Sequence, residues 1–161
     1  MKKLWLGVVV LGLFSTLGTA YAASGGTDLP WHLKGSGTVS VAPPFTSATF
    51  HATHTGSGTF DGTFVIAGFP PPCDVGSVPF TGTSTLTAAD GDTLNQPTSG
   101  TICQSGPNPT FTATGTYTFT GGTGRFSTAT GSGIAISVSD FPNGLGNPGT
   151  FTVTQDGTIS Y

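Results

Sequence analysis

The sequence predicts an all-β domain, a single antiparallel eight-stranded β-barrel with a β-sandwich as second choice, behind a short N-terminal leader. Three observations predict it. Of 161 residues only 7% are charged, 26 are Gly and 12 are Phe, whereas an average domain carries about 25% charged residues. All seven acids are Asp, and Leu, Ala and Glu, the helix-building stock, are scarce or absent beside Thr, Gly, Ser and Phe. From Thr110 to Thr120 every even position is Thr, while the odd positions read Phe111, Ala113, Gly115, Tyr117 and Phe119, a period of two that puts one set on each face of a strand. Turn residues punctuate the chain at intervals of roughly 10 to 17 positions, the spacing of a sandwich or barrel.

The elements follow in order. Lys2 and Lys3, the apolar run Leu4 to Leu17 and Ala20-Tyr21-Ala22 spell a secretory signal peptide over residues 1–22. The run falls short of the roughly 20 residues that cross a bilayer. Neither stop-transfer charges nor a lipobox Cys follow it, so we expect an exported, secreted or periplasmic protein with no stable membrane insertion. Residues 23–161 form one domain, in which only Lys34 and Arg125 stand against seven Asp. So few cations exclude a nucleic-acid binder, and the composition excludes a helical bundle, a coiled coil and a nucleotide-binding α/β domain.

Strands are predicted at 31–41, 47–54, 58–69, 77–89, 92–102, 110–120, 131–139 and 149–161. Phe60, Gly62, Phe64, Ile66 and Gly68 share one face, as do Val78, Phe80, Gly82, Ser84 and Leu86. Ile134, Ile136 and Val138 form a further set, and Phe151, Val153 and Ile159 another. Short connections favour up-and-down order, and closure removes the open edges of a Thr-rich sheet. The Phe residues on strand faces supply a core that a disordered or glycosylated stalk would lack.

The two cysteines, Cys73 and Cys103, lack C-x-x-C spacing and a nearby cation, and an oxidising compartment favours their pairing. Asp90-Gly91 reads as a two-residue hairpin turn. Facing Ala89 with Asp92 then sets Cys103 opposite Val78, within reach of Cys73 if the Pro70-Pro71-Pro72 loop folds back. A structural disulfide is expected.

The stretch Gly121-Gly122-Thr123-Gly124-Arg125-Phe126, followed by Ala129 and Gly131, resembles the G-G-[TS]-G-x-F-x-x-A-x-G signature of the dirigent and allene oxide cyclase barrels. The resemblance covers about the last 50 residues by motif and the rest by strand count. It implies a lipocalin-shaped eight-stranded barrel with a pocket for a small apolar molecule. Plant members guide coupling or cyclisation of such molecules, and many bacterial relatives have no assigned activity. In the motif, Gly121, Gly122 and Gly124 permit a tight turn, Phe126 plugs the barrel end, and Ala129 and Gly131 allow close strand approach. The family's polar pocket residues lie outside the motif and are not carried over to this chain.

Few groups offer chemistry. His51 and His54 are spaced i, i+3, which on a strand points them to opposite faces, and His32 stands apart. No metal site or cofactor is expected. Asp61 alternates against Phe60 and Phe64; it is solvated if these fill the barrel, and an acid–base candidate only if they pack outside. Gly144-Leu145-Gly146-Asn147-Pro148-Gly149 spells G-x-G-x-x-G, but a strand and not a helix follows it. The Thr rows suit an ice- or polymer-binding surface only if flat, and barrel twist opposes flatness. The expected role is binding of a small hydrophobic molecule lined by Phe60, Phe64, Phe80, Tyr117 and Phe119. The alternatives are a cofactor-free cyclase or stereo-directing protein, and a structural envelope or matrix protein.

Overall fold

In the computed structural model, which describes residues 25–106 and 109–161, the alternating segments become eight antiparallel strands. They are β1 Leu29–Val41, β2 Pro44–Ala52, β3 Gly56–Ile66, β4 Val78–Ala88, β5 Thr93–Gln104, β6 Thr110–Thr120, β7 Thr130–Asp140 and β8 Gly149–Ser160. Each strand pairs with its neighbour in sequence and β8 returns to β1, closing a barrel. The only helical element among the described residues is a 3-10 turn, Gly124–Phe126. The expected leader at 1–22 lies outside the described residues.

Parity divides the two surfaces. Odd positions of β1, β6, β7 and β8 and even positions of β2 to β5 point inward, and Thr and Ser dominate the outside. Inward Trp31, Leu33, Leu86, Leu94, Tyr117, Phe126 and Ile159 are fully buried and pack one end solid. Trp31 meets Phe119 edge-on at 5.0 Å and Tyr117 lies 5.1 Å from Phe119. The Gly-rich segment closes that end: Phe126 is 0% exposed and lies 5.1 Å from Tyr161. Gly121 and Gly124 take φ +83° and +54°. Gly122 serves differently, because a Cβ there would come within 1.9 Å of the Thr93 carbonyl oxygen.

Two expectations need correction. Thr87 faces Thr93 and Val78 faces Ile102, so Cys103 lies one position past the partner of Val78. The turn holds three residues, Ala89, Asp90 and Gly91, with Gly91 at φ +91° and Ala88 and Asp92 bonded across it, the geometry of a turn followed by a left-handed glycine. Cys73 nevertheless bonds Cys103, with Cα atoms 5.0 Å apart. The loop folds back because Cys73 N–H donates to the Gln104 carbonyl and Gln104 N–H to that of Pro71. The second correction is at strand ends: β2 begins at Pro44, three residues earlier than predicted, and β3 stops at Ile66, three residues short of its predicted end. Proline is tolerated as the first residue of a strand.

β7 is turned inside out relative to its apolar pattern. Its inward row is Gly131, Gly133, Ala135, Ser137 and Ser139, and Ile134, Ile136 and Val138 face solvent. The small row follows from volume. A Cβ on Gly133 would lie 2.5 Å from the Tyr117 hydroxyl, so the aromatic packing of β6 leaves β7 no room for large inward side chains.

Candidate functional site

The same small row leaves the other half of the barrel unfilled. An internal chamber of about 110 Å³ lies among Phe60, Phe64, Phe80, Phe151, Ala135 and Ser137. It adjoins a mouth of about 320 Å³, walled by Phe69 and Pro70 of the β3–β4 loop and by Phe141 and Leu145 of the β7–β8 loop. Val39, Phe64, Ile66, Ile102 and Ser139 border both spaces. The Cys73–Cys103 bond and the Pro72–Gln104 bridge hold the β3–β4 wall of the mouth against β5.

A layer of amides forms the chamber floor. Gln96 on β5 and Gln155 on β8 are 1% and 2% exposed and reach across the lumen from strands that do not pair. Gln96 Nε2 donates to Gln155 Oε1 at 3.0 Å, and Gln155 Nε2 donates to Gln96 Oε1 at 2.8 Å. Trp31 Nε1 donates to Gln155 Oε1 at 3.1 Å, and Ser84 Oγ donates to Gln96 Oε1 at 3.1 Å. Indole N–H can only donate, which fixes Gln155 with its oxygen toward Trp31 and thereby orients Gln96. The floor separates the packed aromatic end from the chamber. Sequence reasoning missed it, although parity carried the signal: Gln155 shares a face with Phe151, Val153 and Ile159, and Gln96 with Leu94 and Ile102.

Of the five residues expected to line a pocket, Phe60, Phe64 and Phe80 border the chamber. Tyr117 and Phe119 do not, because they lie below the floor in the packed end. Asp61 takes the solvated position of its two alternatives. The phenylalanines occupy the inside, so Asp61 is exposed outside, where its carboxylate accepts from Ser47 Oγ at 2.7 Å.

The histidines also lie off the chamber. His32 Nδ1 sits 2.6 Å from Asp156 Oδ1 on the outer surface, and His51 is exposed. His54 Nε2 donates to the Pro30 carbonyl at 2.9 Å. Among the described residues no group of three potential ligands could hold a metal ion. Arg125 is held at the closed end, where it pairs with Asp90 and its backbone N–H donates to Asp92 Oδ2. The Asp92 backbone N–H bond, with help from Arg125, keeps the Asp90 carboxyl below its usual range. Burial, reinforced by the negative charge of Asp156, pushes the Tyr117 hydroxyl above its usual range.

The chamber wall carries no ionisable side chain among the described residues. It can hold apolar surface against phenyl rings and offer neutral hydrogen bonds from Ser, Thr and Gln. Comparison with family models, curated proteins and solved structures finds no match to this chain.

Proposed function

We propose that this is an exported carrier or binding protein that takes a small hydrophobic molecule into the barrel through the mouth between the β3–β4 and β7–β8 loops. The observation that carries the reading is the chamber and its continuous apolar mouth, since an eight-stranded barrel is otherwise just wide enough to be filled by its own side chains. A dry apolar cavity of about 150 Å³ suffices for benzene. A chamber of about 110 Å³ opening into a mouth of about 320 Å³ therefore suits a slim molecule that extends through both. The absence of an ionisable group from the described wall favours binding over general acid–base cyclisation. The Gly121–Gly131 motif, which here builds the plugged end, supports a distant relation to the dirigent and allene oxide cyclase barrels.

Binding is tested by titrating the protein with the neutral fluorophore N-phenyl-1-naphthylamine. The expected result is saturable fluorescence enhancement by the wild type and its loss in Ser139→Phe, which would block the passage between chamber and mouth, with the circular dichroism spectrum preserved. A wild type that gives no enhancement overturns the reading. Export is supported by the leader pattern at 1–22, and the Cys73–Cys103 bond is compatible with it. Intact mass of the exported chain should place its first residue at Ala23, and retention of Met1 overturns the leader.

A further inference from the structure

We infer that the chamber selects a neutral molecule bearing a hydroxyl group, bound hydroxyl-down on Gln155 and Ser84 with its apolar remainder extending along the phenylalanines into the mouth. The inference rests on the binding reading above and specifies its ligand.

It follows from counting donors and acceptors at the floor. An amide oxygen has two acceptor positions and an amide nitrogen two N–H groups. Gln155 Oε1 accepts from Trp31 and Gln96, and Gln96 Oε1 accepts from Gln155 and Ser84, so both oxygens are saturated. Each amide nitrogen spends one N–H on the other amide and keeps the second, and of the two amides only Gln155 borders the chamber. Ser84 Oγ spends its one proton on Gln96, whose Oε1 and backbone carbonyl oxygen lie 3.1 and 3.2 Å away, and keeps its lone pairs. Gln155 and Ser84 both border the chamber, and both bond the same atom, Gln96 Oε1, at 2.8 and 3.1 Å. One ligand oxygen can therefore reach both.

The floor thus presents one donor and one acceptor side by side. A hydroxyl complements that pair, accepting from Gln155 and donating to Ser84. An ether or ketone answers only the donor. A carboxylate, which only accepts, would meet the Ser84 lone pairs and bury its charge without a cation. Lys34 points outward, and Arg125 is held at the closed end on Asp90. Burying an unpaired charge costs far more than burying a hydrogen-bonded hydroxyl, and an unmet buried donor or acceptor is itself costly.

The test is competition against N-phenyl-1-naphthylamine at pH 8 with three probes of similar length: 1-octanol, its isomer 1-methoxyheptane, and octanoate. We expect 1-octanol to bind at least about tenfold more tightly than the ether, and octanoate to bind more weakly than either. Ser84→Ala should shrink the preference for 1-octanol over the ether to less than about threefold. Equal binding of alcohol and ether, octanoate binding within threefold of 1-octanol, or displacement by none of the three overturns the inference while fluorophore binding stands. Loss of fluorophore binding by the wild type itself overturns the underlying reading instead.

Discussion

Tyr117 shows how tightly the packed end is built. Its ring is 1% exposed, and its hydroxyl is buried without a hydrogen-bond partner among the described residues. That oxygen rests over Gly133 and Gly157, which face each other across β7 and β8. A buried hydroxyl with no partner loses its hydration without compensation. Tyr117→Phe should therefore leave stability unchanged or raise it by up to about 1 kcal/mol in urea unfolding; a clear loss would mean the hydroxyl has a partner. Gly133→Ala should cost about 1–3 kcal/mol by overpacking, since the new Cβ would also lie 2.1 Å from the Asp156 carbonyl oxygen. Neither residue stands out in the sequence: Tyr117 looks like one more aromatic on the inward row, and the requirement at Gly133 belongs to its neighbour's hydroxyl.

Strand β7 carries the lesson at the level of elements. Its alternation was plain, but a period of two is the same pattern whichever face is buried, and a one-residue shift exchanges the faces. Here the apolar row Ile134, Ile136 and Val138 is outside, 56%, 46% and 38% exposed. The inward row is small enough to create the chamber. On β8, by contrast, Phe151 and Val153 point inward. Ile136→Thr should thus change stability by no more than about 0.5 kcal/mol, and Phe151→Ala should cost about 3 kcal/mol. Unfolding curves of the two variants would expose an error if the costs came out reversed. The β4–β5 hairpin makes a related point. Asp90-Gly91 marked the turn correctly, and only the three-residue loop, fixed by the left-handed Gly91, set the register that moved Cys103 by one position.

Across the whole molecule the barrel is two unlike halves. The plugged end derives its stability from aromatic packing. The open end is a thinner wall around the chamber, and there the Cys73–Cys103 bond closes a segment with a separation of 30 residues. Cys73→Ser with Cys103→Ser should lower the unfolding free energy by about 3–4 kcal/mol on the chain-entropy account, read from denaturation midpoints, and should also weaken fluorophore binding by freeing Phe69 and Pro70. Unchanged stability would assign the bond no such role. The strand count, the up-and-down order, the approximate places of the turns and the cysteine pair are legible in the chain, because alternation, Gly/Pro punctuation and spacing are local properties. Which face of each strand is inside, that Asp61 faces water, and that Gln96 and Gln155 meet across the lumen are legible only in the folded barrel. Those are outcomes of closure: inside and outside acquire meaning only when eight strands share one finite volume, and residues 59 positions apart become neighbours only across that volume.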